Sequence, residues 1–171
     1  MRAIVARPMA VALAALAVWS TSVKAADEPL EPFGPDWSIV ENQPCQVWNY
    51  GWGDDMGPFN WSGACVDGKA SGEGRLTYLG GKGVFEGTMR AGKMHGYGTV
   101  TLSGSFRYEG GLRDGMQHGR GTTTYANGDR FEGEYRDGQF HGRGVQYFTD
   151  GTVITCEWRD DEPVIDSCIT E

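Results

Sequence analysis

The sequence predicts an all-β protein assembled from repeated β-hairpins, and three observations predict it. Glycine supplies 27 of the 171 residues, a load that helices do not tolerate. From Trp61 onward the chain copies itself with a period of 23 or 24 residues, the mark of a stack whose units bury their apolar faces only against one another. Within each copy, aromatic and charged residues alternate and then stop at an Asp-Gly or similar pair, as a hairpin requires.

The elements follow in chain order. Residues 1–25 read as a secretory signal peptide: Arg2 and Arg7 precede an apolar stretch from Pro8 to Trp19, and Val23-Lys24-Ala25 supplies a small-residue cleavage site. The expectation is an exported protein, periplasmic in a Gram-negative cell and secreted otherwise. Cleavage leaves 146 residues with 12 basic and 23 acidic side chains, a net charge of −11. That balance argues against nucleic acid as a partner, because phosphate binding needs a basic patch. No transmembrane segment is expected in the mature chain, since no apolar run reaches the roughly 20 residues of a spanning helix.

Residues 26–44, with Pro29, Pro32, Pro35 and Pro44, read as an acidic, proline-rich leader, and residues 45–60 as an N-terminal cap. The repeats then run through residues 61–158. WSGACVDGKASGEG, FEGTMRAGKMHGYG, YEGGLRDGMQHGRG and FEGEYRDGQFHGRG start at Trp61, Phe85, Tyr108 and Phe131, and a shortened copy, ITCEWRDDEP, starts at Ile154. Turns are expected at Asp67-Gly68, Ala91-Gly92, Asp114-Gly115 and Asp137-Gly138, with Ser103-Gly104, Asn127-Gly128 and Asp150-Gly151 between the copies. About nine antiparallel strands result. Residues 159–171 form a C-terminal cap.

The pattern aromatic-x-Gly, a later Gly, then His-Gly-x-Gly resembles the MORN (membrane occupation and recognition nexus) repeat. Tyr108, Gly110, Gly115, His118, Gly119 and Gly121 fill every position of it, and the copies at Phe85 and Phe131 do the same. The first copy departs at Ser71, where histidine is expected. The resemblance implies an elongated, twisted, single-layer antiparallel sheet and a role in assembly or targeting. It also implies a partner: another protein or a second copy of the chain, with a lipid as a further candidate. Composition is consistent with such a sheet. Only 24 of the 146 mature residues are Val, Ile, Leu or Phe, yet 19 are aromatic. In a single layer each ring is expected to cover the bare backbone of a glycine on the neighbouring strand.

Cys45, Cys65, Cys156 and Cys168 form an even set without a CxxC pair, which in an exported protein reads as two disulfides. In an open sheet Cys65 and Cys156 stand about 40 Å apart at about 4.8 Å per strand, so that pairing is excluded. Local bridges, Cys45–Cys65 and Cys156–Cys168, capping the two ends of the sheet, are the simplest arrangement.

No catalytic residues, metal or cofactor are expected. Gly63–Lys69 and Gly87–Lys93 imitate a phosphate loop but lack its final Ser or Thr, having Ala70 and Met94 instead. His95, His118 and His141 recur two strands apart, too far to share a zinc ion, and read as turn-packing residues. Asp54-Asp55 and Asp160-Asp161-Glu162 lie near tryptophans, as in sugar-processing sites, but read more simply as solvated turns. Weak calcium binding at the Asp-Gly turns stays open. Glu86, Glu109 and Glu132 form one ladder and Arg90, Arg113, Arg136 and Arg159 another, expected as solvated faces with cross-strand pairing. The functional expectation is a non-enzymatic interaction or scaffolding module of the cell envelope. Phe85, Tyr108 and Phe131 form an aromatic face expected to be its contact surface, the alternative being that these rings are core. The alternative is a lipid- or glycan-binding module, with lipid phosphates on the arginines or a glycan on the tryptophan-rich N-terminal cap.

Overall fold

The computed structural model describes residues 37–49 and 56–170. The signal peptide, the leader up to residue 36, and Trp52, Asp54 and Asp55 lie outside the described residues. The chain forms one open sheet. Its strands are β1 (Trp37–Ile39), β2 (Gln46–Trp48), β3 (Asn60–Trp61), β4 (Ala64–Val66), β5 (Lys69–Tyr78), β6 (Gly83–Arg90), β7 (Lys93–Leu102), β8 (Phe106–Arg113), β9 (Met116–Tyr125), β10 (Arg130–Arg136), β11 (Gln139–Tyr147), β12 (Val153–Arg159), β13 (Glu162–Pro163) and β14 (Ile169–Thr170). The order β1-β2-β5 continues without crossover through β12 to β13, while β3 and β4 both pair with β5, and β14 pairs with β12. Taking β3 and β4 as one strand broken at Ser62-Gly63, the nine expected strands are present. Among the described residues there is no α-helix; short 3-10 turns stand at Leu79–Gly81 and Ile165–Ser167.

The sheet is not antiparallel throughout, as the repeat alone suggested. β2 joins β5 in parallel at Gln46 and Lys69, and Val40 bridges Phe59 in parallel. These contacts belong to the N-terminal cap, which lies outside the repeat and carries no hairpin pattern to announce its direction.

Each hairpin turns where the sequence places it. Asp114 and Gly115 have φ of 49° and 93°, and Asp137 and Gly138 of 51° and 90°, the pair of left-handed residues that a type I′ turn demands. Successive turns bond to one another: Gly115 N–H donates to Met94 at 2.8 Å, and Gly138 N–H to Gln117 at 3.0 Å. The hairpins β6–β7, β8–β9 and β10–β11 each carry a bulge after Gly87, Gly110 and Gly133. The glycine of each His-Gly pair lies opposite it with positive φ, 76° at Gly96 and Gly119 and 62° at Gly142. The repeat's glycines therefore divide between turns, bulges and one further role.

That role is a continuous row. Gly74, Gly87, Gly98, Gly110, Gly121, Gly133 and Gly144 are mutual neighbours on seven successive strands, and Cys156 takes the eighth place. A Cβ added at Gly98 would stand 2.7 Å from the Phe85 ring, at Gly121 2.5 Å from Tyr108, and at Gly144 2.4 Å from Phe131. Trp61 lies over Gly63 and Gly74 in the same way. The expected covering of glycine backbone by rings is thus present in every full copy. It lets a single layer bury large aromatic surface without a second layer, as burial of such rings stabilises by several kcal/mol only where water is excluded. Two disulfides join Cys45 to Cys65 and Cys156 to Cys168, near the two ends of the sheet.

Candidate functional site

Phe85, Tyr108 and Phe131 are all 0% exposed. The alternation places them on the inner face beside Leu76, Val100, Thr123, Gln146 and Ile154 in one cross-strand row. Tyr108 Oη donates to the Gly111 carbonyl at 2.7 Å, and burial pushes its phenol well above the usual range. Tyr135, pushed up for the same reason, shares a 2.7 Å hydrogen bond with Thr123 Oγ1. These rings are core and not the expected contact surface, because each is packed on its glycine floor and its neighbours and none is exposed. Phe131 stacks on Phe140 at 3.8 Å and meets Trp158 edge-on at 5.3 Å.

What the inner face leaves open is a trough of about 240 Å³ over the first half of the sheet. Leu76, Met89, Val100 and Leu112 form its buried floor, Met94, Leu102, Phe106 and Met116 line it half-exposed, and Met56 and Phe59 close it from the N-terminal side. Its polar residues, Asn49 and Gln117, are few. Sequence reading missed it because its lining comes from six strands and from positions that vary between copies, Met94 aligning with Gln117 and Phe140, and Met116 with Lys93 and Gln139.

The N-terminal cap is bound across the turn ends. Trp48 N–H donates to the Gly92 carbonyl at 2.9 Å and Gln46 N–H to Gly68 at 2.9 Å. The Lys69 ammonium stands 4.6 Å over the Trp37 ring and Lys93 4.1 Å over Trp48. Trp61 is buried and donates from its indole to Ala64 at 3.0 Å. The described tryptophans of the cap are therefore occupied.

The charged ladders pair across strands only in part. Glu86 meets Arg75 directly opposite on β5 at 3.0 Å, while Glu109 and Glu132 pair along their own strands with Arg107 and Arg130 at 2.7 and 3.2 Å. Arg90, Arg113 and Arg136 instead reach the turn aspartates of the following copy, Asp114, Asp137 and Asp160, at 3.2, 2.8 and 3.3 Å. The histidines join the same aspartates: Nδ1 of His95, His118 and His141 lies 3.8, 3.4 and 3.8 Å from them. Each histidine thus sits at a turn of the next copy. Among the described residues no three His, Cys, Asp or Glu side chains converge on a metal position. Hydrogen bonds from Arg107 hold Glu109 below the usual carboxylate range, those from Arg113 do so for Asp137, and the Thr152 amide for Asp150. Such carboxylates are ionised structural acceptors, the opposite of a general acid with a raised pKa. Asp160 and Asp161 belong to a turn, Asp161 Oδ1 accepting from the Phe140 amide at 2.8 Å.

One open sheet of hairpins, with its aromatic rings packed on glycine and its described acids held in turns and ion pairs, defines a β-repeat protein. The MORN repeat model matches residues 85–103, 108–130 and 131–153. The chain thus carries three MORN repeats, and such repeats are generally non-catalytic modules for protein or membrane interaction. The same sheet geometry continues on both sides of the matched segments, from β3 to β12. No curated protein matches the chain closely enough to count as a relative. Among the described residues no helix is long and apolar enough to cross a membrane.

Proposed function

We propose that the protein is an exported, non-enzymatic interaction module of the cell envelope that receives apolar side chains of a protein partner in the inner trough. The observation that carries this reading is the trough itself: a concave, methionine-lined surface with few polar groups, the kind of surface that adapts to apolar anchors. The signal-peptide pattern at residues 1–25 and the two disulfides support an oxidising compartment. A lipid-phosphate role for the arginine ladder loses support because Arg90, Arg113 and Arg136 are engaged by aspartates. A glycan on the cap loses support because lysines already cover Trp37 and Trp48.

The test is site-specific photo-crosslinking in envelope extract, with the photoreactive residue at Leu102 or Met116 in the trough and at Tyr97 on the outer face. A single protein crosslinked from both trough positions and not from Tyr97, and lost on Met94→Lys with the fold intact by circular dichroism, supports the reading. Equal crosslinking from all three positions, or lipid adducts alone, overturns it.

A further inference from the structure

The second half of the inner face differs in chemistry from the first. An open cleft of about 630 Å³ lies there, lined by Ser105, Tyr125, Asn127, Asp129, Gln146, Phe148 and Trp158. Gln146 interrupts the buried cross-strand row, following Phe131 where the first half has Leu76 and Val100. It is only 9% exposed, and its amide makes no hydrogen bond to the described residues. The hydroxyls of Tyr125 and Ser105 likewise have no such partner. Burial, and then the charge of Asp161, push the Tyr125 phenol up, so it is a neutral donor at physiological pH.

The Gln146 amide is therefore free to meet a ligand, and the same cleft holds a buried donor without a partner, the Trp158 indole Nε1, which is costly unless something meets it. The cleft also contains aromatic surface. Phe148 is 38% exposed and Trp158 is half-buried. Its single carboxylate is already engaged: Asp129 accepts from the Thr149 amide at 2.9 Å and from Asn127 Nδ2 at 2.7 Å. What remains is a set of neutral donors and acceptors beside two ring faces, with no cationic side chain in the lining. A phosphate or an acidic peptide would find no counter-charge there, and a purely apolar ligand would leave Gln146 and the Trp158 indole unpaired. A ligand bearing many neutral hydroxyls on one edge and C–H groups on its faces satisfies both features.

We propose that this cleft binds a neutral carbohydrate, with Gln146, Tyr125 and Ser105 meeting sugar hydroxyls and Phe148 and Trp158 packing against the ring's C–H face. The site is separate from the apolar trough, and the proposal does not depend on what occupies the trough.

The experiment is to bind the oxidised protein to a printed array of neutral oligosaccharides of α- and β-linked hexoses and N-acetylhexosamines, then to titrate any hit by calorimetry. The expected result is binding that weakens about tenfold in Gln146→Leu, the loss of roughly one well-made hydrogen bond, and comparably in Phe148→Ala. Tyr97→Ala, on the outer face, should leave the affinity within about twofold, a change too small to count as a lost contact. Phe148 is at the surface, so its variant keeps the test open if Gln146→Leu fails to fold. No hit on the array at millimolar sugar, or hits indifferent to both cleft substitutions, overturns the proposal.

Discussion

Arg113 donates to Asp137 at 2.8 Å across 24 residues of sequence, and His118 approaches the same carboxylate at 3.4 Å. The relation repeats one copy earlier and one later, so each hairpin holds the turn of the next. It is absent as a unit in the first copy. Where Arg and His would stand there are Val66 and Ser71, and where Asp would stand there is Ala91. That vacated turn is the one the N-terminal cap covers, Trp48 N–H bonding to Gly92 and the Trp37 ring lying against it. The Arg-His-Asp contact is thus an inter-repeat clamp, and the cap replaces it at the end of the stack.

The clamp makes stability depend on pH in a defined direction. The hydrogen bond from Arg113 lowers the Asp137 pKa in the folded state, so folding favours the ionised form. The associated stability is fully present above the unfolded value of about 3.9 and is lost as pH falls through the folded value. Asp137→Asn should therefore lower the melting temperature slightly at neutral pH and flatten its decline below about pH 4. High salt should narrow the difference, because the pair is exposed and screened. Thermal unfolding followed by circular dichroism across pH and salt checks this; an unchanged acid slope would contradict it.

Glycine substitutions should separate crowding from backbone strain. Gly104→Ala adds a Cβ into open space at φ of 79°, so it should cost only the left-handed penalty of about 1–2 kcal/mol. Gly92→Ala has the same φ but places the Cβ 2.6 Å from the Trp37 ring, and should cost more while loosening the cap. Gly144→Ala, with the Phe131 ring at 2.4 Å and no room to move, should be the worst of the three. Denaturant unfolding of the three variants gives the order directly, and Gly104→Ala proving as harmful as Gly144→Ala would refute the role assigned to the ring.

Strands, turns and the glycine–ring pairing were legible because they repeat: four copies in register turn a weak local signal at Phe85 or Gly98 into a consistent one. The clamp was half legible. Arg90, Arg113 and Arg136 formed a visible ladder, but their partners lie 24 residues on, in the turns of the following copy, rather than on the strand directly opposite. The parallel contact of β2 with β5 was not legible, since a three-residue strand has no period to read. The trough and the cleft depend on which nearly equivalent inner positions happen to be methionine, glutamine or phenylalanine. Only the folded register brings Met94, Leu102 and Met116, or Gln146 and Phe148, to one place.

The C-terminal disulfide should guard an edge. Cys156–Cys168 closes 12 residues and holds β13 and β14, two residues each, against β12. Replacing both cysteines by serine should cost about 2–4 kcal/mol. It should also free the outer edge of β12, a ready template for another strand. Exposed Ile165 and Ile169 would add apolar surface to the same end. The variant should therefore show concentration-dependent light scattering that the Cys45→Ser/Cys65→Ser variant shows less, because the cap also holds the other end through Trp48 and Gln46. Equal scattering by the two would contradict this account.

The turn Asp160-Asp161 tests how the last repeat tolerates a missing glycine. Asp161 adopts φ of 70° where the earlier copies have glycine. Its amide donates to the Phe140 carbonyl at 3.1 Å, while its Oδ1 accepts from the Phe140 amide at 2.8 Å. The side chain thus returns in hydrogen bonding part of what the left-handed backbone costs, and two substitutions pull these effects apart. Asp161→Ala keeps the strain and removes the acceptor, so it should destabilise by about 1 kcal/mol, the net worth of one such bond. Asp161→Gly removes both strain and acceptor, and should lie close to the parent protein, since glycine relieves about as much as the lost bond gave. Urea unfolding of the pair measures the difference. Should alanine and glycine prove equal, backbone strain at this turn would be negligible, and the aspartate would be there for its hydrogen bond alone.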